Sequence, residues 1–169
     1  MTAIGDERDP PAVVLDTSVV INLKKNLKVT DQWGFFERLT ILVAHGLVGW
    51  PRYVRKEIID ARHPDAPGAW IAGQNAQPFP EPAFATLAEV LGAAQLVDAE
   101  AEDEVADPYV VAMGLELRVS QPERRVVIAS DDVVDRMPQK ESIATACERL
   151  SLERWSCHEF IEWAQSVHV

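Results

Sequence analysis

Short apolar runs that stop at an acidic residue, set between stretches of helical period, restrict this chain more than any other feature of its sequence. Ala12-Val13-Val14-Leu15 is such a run and ends at Asp16. A β-branched run without alternation is the pattern of a strand buried on both faces, and such strands belong to parallel sheets covered by helices. Residues 47–50 give a second short strand and residues 125–129 (Arg-Val-Val-Ile-Ala) a third, while Arg154-Trp155 marks a candidate edge strand. Between them, Thr17 or Ser18 can cap a helix running to about Lys25. Residues 31–45 have helical spacing, with Trp33, Phe36, Leu39, Ile41 and Val43 on a broad apolar face. Pro51 suits the first turn of a helix reaching about Arg62. Residues 64–82, rich in Pro, Gly, Ala and Gln, read as a loop with a helical turn near Trp70. Further helices are expected over residues 84–97, 108–120, 141–150 and 157–167. Strands alternating with helices predict an α/β fold: a three-layer α/β/α sandwich around a central, mainly parallel sheet.

A chain of 169 residues suits one domain with a core of its own. We place that domain at residues 12–169, after an acidic, proline-bearing tail at residues 1–11 that lacks the layout of a signal peptide. The apolar stretches are too short to span a bilayer, so no membrane partner is expected. Cys147 and Cys157 are the two cysteines. With His158 they make no zinc spacing, and a pair of reduced thiols points to a reducing cytoplasm. The net charge of −11 opposes long-range attraction to nucleic acid. The basic residues are bunched, however, at Lys24, Lys25 and Lys28, at Arg52, Arg55 and Lys56, and at Arg124 and Arg125.

Four acids stand where the fold would gather them. Ligands of an open parallel sheet collect at the carboxyl ends of its strands, where Asp16 and Asp131 belong. Asp132 follows directly, and strand register favours Asp131 of the two. Glu57 flanks the apolar stripe Val54, Ile58 and Ala61, and an arginine salt bridge is an equal alternative for it. Asp107-Pro108 is an expected helix start in its own right. Asp107 nonetheless shares a face with Val110, Val111 and Gly114, and Gly114 would let that helix approach the sheet. Two bare charges about 4 Å apart repel by about 4 kcal/mol at an effective dielectric near 20. Such a cluster is therefore tolerable mainly where it binds cations. Oxygen-only ligands select hard ions, Mg²⁺ or Mn²⁺, and few ligands per ion leave positions for water and phosphate.

Four segments together resemble the PIN-domain family. Val14-Leu15-Asp16-Thr17-Ser18 resembles its opening strand motif, and Val54-Arg55-Lys56-Glu57-Ile58 its second acid on a helix. Asp107-Pro108-Tyr109-Val110-Val111-Ala112 is similar to its third acid at a helix start, and Val127-Ile128-Ala129-Ser130-Asp131 to its last strand end. The resemblance runs from about Ala12 to the last helix, and residues 141–147 are closer to an uncharacterised single-domain branch than to VapC-type toxins. Ala129 departs from the family's threonine and so removes a hydroxyl near the metal site. The resemblance implies a Mg²⁺- or Mn²⁺-dependent endoribonuclease. Asp16, Asp107 and Asp131 would bind metal, Glu57 would complete the cluster and Ser18 would orient Asp16. Lys24, Arg55 and Arg125 are candidates for holding substrate phosphates. RNA is the implied substrate, and a small antitoxin an implied partner if the chain is the toxin of a toxin–antitoxin pair. Five Trp leave apolar area for a homodimer interface.

Two other classes compete. A haloacid-dehalogenase-type phosphatase needs a second Asp two residues after the first, where Ser18 stands. A PIN-like module that binds RNA or protein with weak or absent catalysis is favoured by Ala129 and the acidic balance, and opposed by the complete set of acids.

Overall fold

A computed structural model of the chain describes residues 9–62 and 65–169, so the expected tail lies, up to residue 8, outside the described residues. The chain order is β1 (Ala12–Leu15), α1 (Thr17–Asn26), α2 (Val29–Ala44), β2 (Val48–Gly49), α3 (Arg52–Asp60), α4 (Ala66–Gly73), α5 (Phe84–Ala93), α6 (Asp107–Ser120), β3 (Val126–Ala129), α7 (Ile143–Arg149), β4 (Glu153–Trp155) and α8 (Cys157–Ser166). The strands form one sheet in the order β2-β1-β3-β4, and every pair is parallel. The fold is an α/β/α sandwich. α6 packs on β1 and β3 and gathers α5 and α7 beside it, while α1, α2 and α8 pack together with α3 and α4 against α1.

Burial explains why the central runs carry no polar residue. All four residues of β1 and all four of β3 are buried, since each strand has a neighbour on both edges and helices on both faces. Their register is direct, with Ala12 opposite Val126 and Leu15 opposite Ala129. Both strands therefore end at the same level. β4 ends there too, with Trp155 opposite Ala129. Gly114 brings α6 down onto β3, because a Cβ at that position would stand 2.9 Å from Cδ1 of Ile128. A glycine costs a helix about 1 kcal/mol relative to alanine, and the close packing of α6 on the sheet offsets that loss.

Three sequence expectations need correction. The inward face of α2 consists of Phe35, Phe36, Leu39, Leu42 and Val43. Trp33 is 77 % exposed and Ile41 is also exposed, because Phe35 packs edge-on against Phe160 of α8 and so sets the helix rotation. Residues 66–73 form a full helix rather than a turn: the Asp65 carboxylate accepts from the Gly68 amide at 3.0 Å, and Trp70 and Ile71 are buried. α5 stops at Ala93, four residues early, where the backbone turns extended at Ala94. Gln95 then exchanges backbone and side-chain bonds with Glu141, an ordered loop contact that periodicity does not report.

Candidate metal centre

The chain leaves β1 for β2 in one direction and pairs β1 with β3 in the other, so the crevice between the ends of β1 and β3 is the switch point where such sheets bind ligands. A pocket of about 490 Å³ opens there, and Asp16, Ser18, Asn22, Asp107, Asp131, Asp132, Arg136 and Lys140 are among its lining residues.

Asp16 is its floor. It holds the N-cap position of α1, yet its side chain makes no capping bond. Instead Oδ2 accepts from the Ser18 hydroxyl at 2.5 Å and from the Ser130 hydroxyl at 2.9 Å. Each hydroxyl in turn accepts a backbone amide, Asp131 on Ser18 at 3.0 Å and Asp132 on Ser130 at 3.1 Å. Two loose amides just past the end of β3 thus serve to orient one carboxylate. Oδ1 of Asp16 is buried and, among the described residues, has no hydrogen-bond partner. Burial, then the nearby Asp107 charge, push the Asp16 carboxyl up from 3.8 to about 7 against the pull of both serines. A buried carboxylate oxygen without a hydrogen-bond donor is costly, and it has the chemistry of a cation ligand.

Asp107 does not cap α6. Ala106 occupies the N-cap position, and Asp107 is the first helical residue, ahead of Pro108. Its carboxylate pairs with the Lys140 ammonium. Burial raises its pKa against the pull of Lys140, and the Asp132 and Glu57 charges add to the rise. The same pairing holds Lys140 above its usual range although burial works against it. Asp131 gives one oxygen to the Asn22 amide at 2.7 Å and the other to the Cys157 backbone amide at 2.8 Å, at the start of α8. Asp132 commits Oδ2 to the Ile143 amide at 3.0 Å, at the start of α7. Both acids face the pocket, and it is the Asp132 charge that reaches Asp107.

Glu57 stands behind this group and is not among its lining residues. Its carboxylate accepts from the Thr17 hydroxyl at 2.6 Å and the Ala106 amide at 2.7 Å, tying α3 to the starts of α1 and α6. No arginine claims it in these contacts. Among the described residues, no three Asp, Glu, His or Cys side chains are set as a ready ligand group for one ion. The bonds above engage Asp107 with Lys140, both oxygens of Asp131, and Glu57 with its braces. Asp16, Asp107 and Asp132 nonetheless line one pocket, the Asp107 charge reaching Asp16 and the Asp132 charge reaching Asp107, and carboxylate oxygens are the donors that hard divalent ions prefer.

The three phosphate-holding candidates from the sequence are engaged elsewhere. Lys24 pairs with Asp65. Arg55 donates to the Ile71 and Ala72 carbonyls at the end of α4. Arg125 lies before β3, at the opposite end of the strand, where it pairs with Glu153 and lies over the Trp155 ring. The cations at the pocket are Arg136 and Lys140, on the loop between β3 and α7, which carries no periodicity to signal them. Ser130 also went unread. The serine beside Ala129 supplies a hydroxyl to Asp16, so the substitution at Ala129 does not strip the site of one. Replacing Ser130 by Ala should weaken Mn²⁺ binding by about tenfold, since groups that orient a ligating carboxylate are worth that much. A Mn²⁺ titration followed by thermal unfolding measures it, and an unchanged midpoint concentration would show that Ser18 alone orients Asp16.

Both thiols are free and buried, and burial pushes each up to about 12, away from the thiolate form. Among the described residues, no helix is long and apolar enough to cross a membrane.

Fold and site define an α/β/α sandwich with a carboxylate-lined pocket at the switch point of a parallel sheet. The chain belongs to the family described as a domain of unknown function (DUF4411), whose model matches residues 13–167. No curated protein and no solved structure matches it.

Proposed function

We propose that this protein is a metal-dependent ribonuclease of the PIN type, hydrolysing RNA phosphodiesters at the Asp16 pocket. One observation carries the reading: Asp16, whose buried Oδ1 has no hydrogen-bond partner among the described residues, lines a pocket with Asp107, Asp131 and Asp132 at a sheet switch point. Asp16, Asp107 and one or both of Asp131 and Asp132 would hold Mg²⁺ or Mn²⁺, with Glu57 adding negative charge from behind. When bound, the metal supplies a water of lowered pKa and charge stabilisation for the leaving oxygen. The chain's own residues do the rest. Ser18 and Ser130 fix the Asp16 carboxylate, the buried floor excludes bulk water on one side, and Arg136 and Lys140 offer cations to a phosphate at the mouth. Two reduced thiols suit a cytoplasmic setting, and a toxin role with a small antitoxin or a homodimer extends the same reading.

The test is incubation of the purified chain with single-stranded RNA in Mn²⁺, in Mg²⁺ and in chelator. Cleavage is expected with either metal and none in chelator. A second reading, a PIN-like module that binds RNA or protein without cutting it, draws support from the Lys140–Asp107 pair, which neutralises one acid without metal. RNA bound but left intact at saturating Mn²⁺ would select that module.

A further inference from the structure

Lys140 occupies the ligand that a metal would need. Its ammonium pairs with Oδ2 of Asp107, and both side chains are largely withdrawn from solvent, at 21 % and 15 % exposure. The backbone beneath Lys140 is fixed. Arg136 N–H donates to the Lys140 carbonyl at 2.8 Å, and Lys140 N–H donates back to the Arg136 carbonyl at 3.1 Å. The next residue, Glu141, is anchored by its amide on the Gln95 carbonyl at 2.7 Å and by its carboxylate on Arg149. What remains free to move is the four-carbon stem, whose ammonium is a compact, rotatable charge.

An ammonium is a poor final occupant of this pocket. It carries a single charge and pairs with Asp107, while Oδ1 of Asp16 has no hydrogen-bond partner among the described residues. A divalent ion has twice the charge and takes several oxygens at once. An ammonium and a divalent ion on the same carboxylate repel each other, so the binding of one disfavours the other. Lys140 and Arg136 both line the pocket, and the backbone bonds between them keep the root of the Lys140 stem beside Arg136.

We propose that Lys140 is a resident counter-cation of Asp107 that divalent metal displaces, and that the released ammonium then joins Arg136 in holding the phosphate of a nucleic-acid strand. This rests on the metal-site reading above. Metal and strand then bind cooperatively: each favours Lys140 away from Asp107, and the coupling works equally in both directions.

Mn²⁺ is titrated into the full-length wild type, Lys140→Met, Lys140→Gln, Lys140→Arg and Asp16→Asn chains, reading thermal unfolding and the spin-resonance signal of free Mn²⁺. Loss of the competing charge should lower the half-saturating Mn²⁺ concentration about tenfold in Lys140→Met and in Lys140→Gln, while Lys140→Arg stays near wild type. In saturating Mn²⁺, affinity for a short single-stranded phosphorothioate oligoribonucleotide, which resists hydrolysis, should fall about tenfold in the Met and Gln variants and be kept in Lys140→Arg. The oligonucleotide should also lower the half-saturating Mn²⁺ concentration of the wild type, and lower it by less in either neutral variant. An unchanged or raised Mn²⁺ requirement in the neutral variants that fold overturns the proposal while leaving the metal site standing. A wild type whose Mn²⁺ response matches that of Asp16→Asn overturns the metal site itself.

Discussion

Asp16→Asn should cut metal-dependent cleavage by more than about a hundredfold and, in chelator above pH 7, give a protein more stable than the wild type. Both effects come from one atom. Asn keeps a carbonyl oxygen for the Ser18 and Ser130 hydroxyls, so the local bonds survive. What it removes is the charge that burial and Asp107 disfavour. The folded Asp16 carboxyl sits at about 7 against an ordinary 3.8, so between those values the folded chain binds a proton that the unfolded chain has lost. Stability contributed by this group is therefore full below about pH 4 and declines as pH rises through about 7. The amide does not titrate, and its stability should stay level across that window. By pH 8 without metal the variant gains on the order of a few kcal/mol, since one pKa unit corresponds to about 1.4 kcal/mol. Saturating Mn²⁺ should reverse the ranking, raising the melting temperature of the wild type and leaving that of the variant unmoved. Melts at pH 8 in chelator and in Mn²⁺ read both halves. A variant that melts below the wild type in chelator would mean that Asp16 is a structural acid.

Glu57→Ala should destabilise the fold by about 2–4 kcal/mol, the largest loss expected from any single acid of the group. The Ala106 amide, on a fully buried residue, would lose its acceptor, and so would the Thr17 hydroxyl. Both partners lie at helix starts whose next or preceding residue is a pocket acid, Asp107 after Ala106 and Asp16 before Thr17. Loss of the brace therefore loosens two acids at once. Glu57→Gln keeps one acceptor and should lose less than half as much. Denaturant midpoints with unchanged slopes would measure the series. Equal midpoints for Ala and wild type would remove Glu57 from the framework and return it to the role of a direct ligand.

How far the sequence spoke for itself follows from what each residue answers to. β1, β3 and most helices were legible because burial on two faces or on one stripe leaves a periodic trace. The positions of Asp16, Asp107 and Asp131 at strand and helix ends followed from the same trace. Lys140, Arg136 and Ser130 were not legible, since loop side chains obey tertiary contacts that no period records. Trp33 misled for the opposite reason: an apolar residue at an allowed helical position can still face water when Phe35 holds the helix against Phe160. The basic bunches misled too. Charge near an acid in sequence says little about the end of the strand on which it lies, and Arg125 lies at the wrong end of β3.

The pairing of β1 with β3 joins residues more than a hundred positions apart, and Asp131 is steadied by the amide of Cys157. During synthesis, then, the pocket has no floor until the ribosome has released β3, and no finished wall until α8 begins to wind. A chain emerging from the exit tunnel carries its acids apart for most of translation, and their mutual repulsion arises only at the last stage of folding.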